Sequence, residues 1–316
     1  MNKKRTGVSY DKWGYVFVAP FVIVYLIFSL FPLLSTFYYS FFEYYRSGLT
    51  VIGPNFVAFD NFVKLFTPDQ TGRIGILAYT GNTMIMWVMG AIPQLVFSLL
   101  LAIIFTGTRL NIKGQRFFKT VMYMPNLVMA AAFSMLFFTL LSKVGPINQI
   151  IIGMTGETFD FFGLVWPARS VIAFINFIMW FGNTAILLMA GIMGIDQSLF
   201  EAASIDGATS GQVFFKITLP LLTPIMVYVA ITSLIGGLQM FDVPQIISAG
   251  KGTPDRSTMT LIMYLNNYLG PSKNYGMAGA VAVLIFIITG VLSIFVYKSI
   301  NGDGGKGKKK KVKKGV

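Results

Sequence analysis

The stretch EAASIDGATSGQVFFKITLP (201–220) is a polar segment between two long apolar runs. Just before it, Asp196 is a suitable N-cap for a helix over residues 197–206, and Gly207 is a suitable C-terminal stop for that helix. A second short helix is expected over residues 210–218. The segment therefore predicts two short helices that are joined at a glycine and connect two membrane spans.

The rest of the chain has the composition of a membrane protein. Of its 316 residues, 55% are hydrophobic and 12% are charged, and the mean hydropathy is +0.69. A soluble domain carries about 25% charged residues. Apolar stretches of about 20 residues are long enough to cross a bilayer, and they recur along the chain. They predict an all-α polytopic membrane protein with six spans: Tyr15–Tyr39, Leu77–Thr106, Thr120–Ser142, Ser170–Ile195, Pro220–Phe241 and Tyr275–Tyr297.

Basic residues predict the orientation of the chain. Most lysines and arginines lie in the N-terminal segment (1–14), the second connection and the C-terminal tail (300–316). The positive-inside rule puts these three segments, and so both termini, in the cytoplasm. Residues 15–299 then form a six-helix transmembrane domain, and the polybasic tail is expected to lie beside anionic lipid headgroups rather than on nucleic acid. The second connection has no acidic residue and four basic ones: Arg109, Lys113, Arg116 and Lys119.

The connections on the other side of the membrane span residues 40–76, 143–169 and 243–274. Their glycine, proline and asparagine content favours compact loops with short helices. None of the three is typical of a folded catalytic domain.

The sequence lacks residues that several classes of membrane protein need. It has no cysteine and no histidine, which excludes disulfides, Cys/His metal sites and Ser-His or Cys-His nucleophile pairs. The predicted spans hold no ionisable Asp, Glu, Lys or Arg, whereas proton-coupled carriers use such groups at membrane depth. The only near match to a phosphate-binding loop, AGKGTP (249–254), has glycine after its lysine. We therefore expect a chain that is not an enzyme and binds no metal or cofactor; sodium coupling through carbonyl oxygens stays open.

The spacing of the polar segment resembles a known signature. EAA, three residues, Gly207, nine residues, Ile217, one residue and LP follow one another as in the membrane subunits of binding-protein-dependent ABC importers. Gly211, where a bulky residue is common, and SMLF (134–137), which lacks a common tryptophan, depart from the family pattern. Other stretches resemble the carbohydrate, maltose-transporter-like branch of that family: IDGA (205–208), FFKITLPLL (214–222) and YGMAGAVAVLIF (275–286).

The resemblance implies a type I ABC importer permease fold in the bacterial cytoplasmic membrane. Residues 196–220 would be the coupling loop, which docks into a cytoplasmic ATPase subunit. The implied partners are a second homologous permease, two ATPase subunits that bind ATP and Mg²⁺, and an extracytoplasmic solute-binding protein. The coupling residues that it implies are Glu201, Ala202, Ala203, Asp206, Gly207 and Ala208.

Uncharged polar and aromatic residues at membrane depth are candidate solute contacts. Asn176, Trp180 and Asn183 follow i, i+4, i+7 spacing in the fourth span, and Ser233 and Gln239 lie in the fifth. Amide and hydroxyl groups can pair with sugar hydroxyls, and an aromatic face can cover the C–H side of a sugar ring. Interhelical hydrogen bonding is the alternative role for such residues.

These features predict a permease subunit for a mono- or oligosaccharide. Import of glycerol-3-phosphate or another small solute by the same fold is one alternative. A secondary carrier that works alone is a second, and a membrane-embedded enzyme is a third.

Overall fold

Six helical stretches of the described residues are long and apolar enough to cross a membrane, which confirms the six predicted spans. The structure, a computed structural model, describes residues 11–70, 72–107, 113–270 and 272–301. Residues 1–10, Arg109 and the tail from 302 onward therefore lie outside the described residues. The six stretches are Lys12–Tyr39, Gly75–Thr106, Ala130–Thr155, Val165–Met193, Ser210–Ile247 and Tyr275–Ile300.

The smaller of two compact units comprises the chain up to Thr67 together with Leu265–Leu284. Its first span contains a π-helical turn, Leu26–Leu30, between two α-helices. Its named elements up to Thr67 are α1 (Asp11–Tyr25), α2 (Phe31–Tyr39), β1 (Phe42–Ser47), β2 (Thr50–Phe56) and α3 (Asp60–Phe66).

A β-hairpin follows the first span, where the sequence predicted loops with short helices. Strands β1 and β2 pair antiparallel, and Ser47 opposite Thr50 leaves a two-residue turn. Gly48 in this turn has a φ of +60°, a value that favours glycine and matches the twist of a tight hairpin. Asn61 in α3 secures the hairpin base, because its Nδ2 donates to the carbonyl oxygens of Ser40 and Phe42, each at 2.9 Å.

The larger unit comprises Pro68–Tyr264 and the chain from Ile285 onward. Its helices carry most of the residues that the sequence pointed to. They are α4 (Gly75–Thr106), α5 (Gln115–Leu127), α6 (Ala130–Leu141), α7 (Pro146–Thr155), α8 (Val165–Met193), α9 (Gln197–Ile205), α10 (Ser210–Val213), α11 (Leu219–Leu238) and α12 (Asp242–Ile247). The last two helices, α13 (Leu261–Leu269) and α14 (Tyr275–Asn301), have residues in both units.

Helix α8 is the centre of the larger unit. Its buried side chains pack mainly against α4, and α5 also packs against α8. A Cβ at Gly182 of α8 would overlap the backbone carbonyl of Met122, so glycine permits the close approach of α5. Asn126 of α5 adds a hydrogen bond from Nδ2 to the carbonyl of Met179, at 3.2 Å. Close packing and interhelical hydrogen bonds of this kind hold helices together where lipid removes the hydrophobic driving force.

The third and fourth predicted spans differ from the structure in their bounds. The third was predicted as Thr120–Ser142, but α5 ends at Leu127 and two extended residues separate it from α6. Pro125 in the last turn of α5 removes one backbone hydrogen bond and so weakens the helix at this point. The fourth was predicted to begin at Ser170, but α8 begins at Val165 and so includes Arg169. Helix α8 thus extends five residues beyond the predicted start of the fourth span, and the predicted span itself, Ser170–Ile195, holds no ionisable residue.

Candidate solute path and coupling element

Residues 196–213 contain α9 and α10, which begin at the two predicted helix starts. Asp196 caps α9, because its Oδ1 accepts the backbone N–H of Ser198 at 3.0 Å. This hydrogen bond stabilises the carboxylate and holds the pKa of Asp196 below its ordinary value. Thr209 and Gln212 form a reciprocal capping box at the start of α10. Both predicted helix starts are therefore fixed by side chains within the segment itself.

Gly207 makes the turn between α9 and α10. Its φ is +70°, in the left-handed region that an L-residue enters only at a cost. The next amide, that of Ala208, donates to the carbonyl of Ala203 at 2.9 Å and closes the end of α9. This geometry confirms Gly207 as the predicted stop.

The sequence predicted a separate second short helix over residues 210–218, but the structure has no such separate helix. After α10 the chain continues through a π-helical turn, Phe214–Thr218, directly into α11. Pro220 lies in the first turn of α11, where its missing N–H leaves room for such an irregular turn. The membrane-length helix consequently begins at Ser210.

Most side chains of α9 are exposed, and several of them are small. Glu201, Ala202, Asp206 and Gly207 are exposed, Ala208 is half-buried and Ala203 is buried. Within the described residues Glu201 forms no ion pair. The two alanines give the helix a low profile, and the Glu201 carboxylate beside them is available to a cation on another protein.

A cavity of about 350 Å³ lies between α4, α8 and α11. Its lining combines amide, hydroxyl and indole groups with apolar side chains, and no lining residue is charged. The α4 lining residues are Met86, Trp87, Gly90, Ala91 and Gln94. Those of α8 are Asn176, Trp180, Asn183, Thr184 and Leu187. The remainder, from α11 and the residues after it, are Tyr228, Val229, Thr232, Ser233, Gly236, Gly237 and Met240.

Four of the five predicted solute contacts line this cavity. Asn176, Trp180 and Asn183 extend along one face of α8, and Ser233 lies opposite on α11. Gln239 is the exception: it caps the end of α11, is exposed and is not among the lining residues. The helical spacing therefore brought the α8 residues together correctly, whereas Gln239 is exposed although its neighbour Met240 lines the cavity.

Some polar groups of the cavity already have partners. The Trp87 indole N–H donates to Ser233 Oγ at 3.2 Å, and a Cβ at Gly237 would overlap the same indole. The Asn176 amide donates to the carbonyl of Ile172 at 2.9 Å, which leaves its Oδ1 as a possible acceptor. Within the described residues Asn183 and Trp180 make no side-chain hydrogen bond, so their polar atoms are free to contact a solute.

Other polar lining residues were not singled out from the sequence. Gln94 Nε2 donates to Thr184 Oγ1 at 2.7 Å, across the packed faces of α4 and α8. Trp87, Tyr228 and Thr232 complete the polar lining. Each lies in a long apolar helix with little amphipathic contrast, so only the packing of the three helices reveals that they share a cavity.

Known proteins of similar sequence are membrane components of importers. Residues 94–302 match the family model described as "Binding-protein-dependent transport system inner membrane component". The lactose transport system permease protein LacF of Rhizobium radiobacter is 30% identical over 293 residues, which cover 91% of this chain and 94% of LacF. The multiple sugar-binding transport system permease protein MsmF of Streptococcus mutans is 30% identical over 288 residues, or 90% of this chain and 94% of MsmF.

A solved structure has the same fold. It is a chain of a bacterial alginate ABC transporter, crystallised in complex with an alginate pentasaccharide-bound periplasmic protein. Its TM-score is 0.76 at 22% identity, with 94% of this chain and 96% of that chain covered. The family model, which matches about two thirds of the sequence, identifies the chain as a member of the family of inner membrane components of binding-protein-dependent transport systems.

Proposed function

We propose that this chain is the membrane-spanning permease subunit of an ATP-driven sugar importer and forms half of the translocation path. The observation that carries the proposal is the uncharged cavity between α4, α8 and α11. Its unpaired amide and indole groups suit the hydroxyls of a mono- or oligosaccharide, and its aromatic faces suit the C–H side of a sugar ring. The names of LacF, a lactose transport system permease protein, and MsmF, a multiple sugar-binding transport system permease protein, support the same solute class.

The absence of charge in the cavity favours a neutral solute over glycerol-3-phosphate. A phosphate dianion taken out of water needs cationic or several N–H partners. None of the lining residues is Lys or Arg. Uptake of a phosphate ester in place of a sugar would overturn this part of the proposal.

Coupling to ATP hydrolysis takes place at α9, Gly207 and α10. We infer that a cytoplasmic ATPase subunit receives α9 in a cleft and pairs a basic group with Glu201. The proposed assembly holds two such ATPase subunits, which bind ATP and Mg²⁺, a second homologous permease and an extracytoplasmic solute-binding protein. To invert a 1:99 population of two permease arrangements, the ATPases must favour one by about 5.5 kcal/mol.

Charge reversal at the coupling element tests the proposal. Glu201→Lys should abolish uptake by intact cells, because a cationic partner in the cleft would be repelled. Glu157→Lys is the matched control: Glu157 is also exposed and also outside the spans, but lies between α7 and α8. Membrane insertion of both variants is checked by immunoblot. Normal uptake by Glu201→Lys, or equal loss in both variants, would contradict the coupling role.

A further inference from the structure

Arg169 is a buried cation in the first turn of α8. It is 9% exposed, and its contacts are with neutral groups. Its Nε donates to the carbonyl oxygen of Ser257 at 3.0 Å, and its Nη2 donates to Asn82 Oδ1 at 2.6 Å. The guanidinium carbon lies 5.4 Å from the ring centre of Trp166. One side chain of α8 is thereby bonded both to α4 and to the segment that precedes α13.

That segment, residues 249–260, is here called the strap. Asn82 of α4 holds it as well, since its Nδ2 donates to the carbonyl oxygens of Arg256, at 2.8 Å, and Met259, at 3.3 Å. Asn82 therefore accepts from Arg169 and donates to the strap at the same time. The two side chains form one hydrogen-bonded unit with the strap backbone.

The strap is joined to the end of the cavity. Thr260 Oγ1 donates to the carbonyl oxygen of Met240 at 2.8 Å, and Met240 lines the cavity. Directly after the strap, the amide of Leu261 donates to Thr83 Oγ1 of α4 at 3.1 Å. A displacement of the strap would therefore act on the backbone of Met240 at this end of the cavity.

This end is the one remote from the coupling element. Arg169 lies near the start of α8, and α9 follows the end of α8 at Met193. At a rise of 1.5 Å per residue, the helix separates the two by about 36 Å. The strap thus lies where an importer must open toward its solute-binding protein.

We propose that Arg169 is a positioning residue that pins the strap to α4 and α8 and so holds closed the end of the cavity remote from the coupling element. Arginine suits this role, because its planar fork donates in two fixed directions at once. A lysine ammonium cannot reproduce both directions together. Asn82 is the partner that passes the restraint to two further strap carbonyls.

The hydrogen bonds that hold the strap to Arg169 can also be broken without separating an ion pair. Within the described residues no carboxylate lies within ion-pair distance of Arg169. Carbonyl and amide acceptors can be exchanged for water one at a time, whereas separation of a buried ion pair leaves two uncompensated charges. The strap is consequently held by bonds that a modest bias toward the open arrangement can break.

Chemical access to a single cysteine tests the proposal, and the native chain contains no cysteine. Met240 is a suitable reporter position, because it lines the cavity at this end and is only 7% exposed. Met240→Cys is labelled with a membrane-impermeant maleimide in cells that contain the whole transporter. Arg169→Ala should raise the labelling rate by about tenfold, the effect expected for loss of one hydrogen bond to a charged group. Arg169→Lys should restore part of the protection, and Asn82→Ala should raise the rate in the same direction.

Matched controls separate this inference from the proposed function on which it rests. Lys251→Ala removes a positive charge from the exposed part of the strap and should leave the labelling rate unchanged. Ser204→Cys, on exposed α9, should be labelled only in inside-out vesicles, which reports the orientation independently. The readout needs neither solute nor ATP, so a failure of sugar uptake does not affect it.

Three outcomes would overturn the proposal. One is an unchanged labelling rate in Arg169→Ala at normal membrane levels. Another is rapid labelling of Met240→Cys with the native Arg169 present. The third, which decides the case if Arg169→Ala does not insert, is full protection in both Arg169→Lys and Asn82→Ala. The double variant of Arg169 and Asn82 should show less than the product of the two single effects, because the residues share one bond.

Discussion

The turn at Gly207 offers a matched pair of substitutions with opposite expected effects. Gly207 has a φ of +70°, whereas Gly211 lies in right-handed α10, and an added Cβ meets nothing within 4 Å at either position. Steric clash therefore plays no part, and only backbone preference separates the two. Gly207→Ala should destabilise the turn by about 1–2 kcal/mol. Gly211→Ala should stabilise α10 by about 0.5–1 kcal/mol.

The fraction of molecules that hold the native turn between α9 and α10 should change with these free energies. A loss of 1–2 kcal/mol corresponds to a decrease of about 5–30-fold in the fraction of molecules with the native turn. Gly207→Asn should fall between glycine and alanine, because asparagine enters the left-handed region more readily. The expected order of affinity for the ATPase subunit is Gly211→Ala at or above wild type, then Gly207→Asn, then Gly207→Ala.

A titration of purified permease with its ATPase subunit in detergent measures this order as apparent Kd. Hydrogen exchange of the amides in residues 198–213 provides the structural control, since only the variants at Gly207 should lose protection. If both alanine variants bind equally, or if Gly211→Ala is the weaker, the turn at Gly207 does not present the docking surface.

Three further predictions follow from packing, the cavity and the helix cap. Gly182→Ala should destabilise the protein by about 1–3 kcal/mol by forcing α5 from α8, whereas Gly153→Ala, in open space, should not; thermal unfolding in detergent compares them. Asn176→Ala should raise the KM for sugar uptake by about fivefold, the effect of one hydrogen bond, whereas Gln239→Ala should leave it unchanged. Because the folded pKa of Asp196 is lowered, its cap should hold at neutral pH and be lost as pH falls through that pKa, and hydrogen exchange of α9 measures this loss.

Each of these predictions has a contradicting result. Equal unfolding temperatures for Gly182→Ala and Gly153→Ala would show that the packing of α5 against α8 does not require glycine at position 182. Equal changes in KM for Asn176→Ala and Gln239→Ala would place the solute elsewhere. An Asp196→Asn variant keeps an acceptor that does not titrate, so the same acid-induced exchange in this variant would exclude the carboxylate as the cause.

Local chemistry made the helix ends of residues 196–213 predictable from the sequence. Asp196, Gly207 and Thr209 fix the helix ends by contacts within a few residues, and such contacts do not depend on the rest of the fold. The spans were predictable for a similar reason, because length and apolar composition suffice to cross a membrane. The i, i+4, i+7 spacing on α8 correctly placed three residues on one face of the cavity.

Features that depend on contacts distant in sequence were missed. Arg169 lies one residue before the predicted start of the fourth span, and its partners Asn82 and Ser257 are remote in the chain. Only those partners make a buried guanidinium tolerable, so no local pattern could place it inside a helix. The hairpin at Gly48 had a local signal in YYRSGLTVIG (44–53), where a glycine lies between tyrosines on one side and the β-branched run Thr50–Ile52 on the other.

Site-specific crosslinking from α9 in the intact cell membrane tests the coupling proposal most directly. Ser204→Cys places one exposed thiol on α9 in a chain that otherwise has none. With a photoreactive maleimide at this position, we expect one main adduct, with the nucleotide-hydrolysing subunit, and a yield that changes when ATP is added. No adduct with such a subunit, together with solute uptake that continues without ATP, would contradict the proposed coupling through residues 196–220.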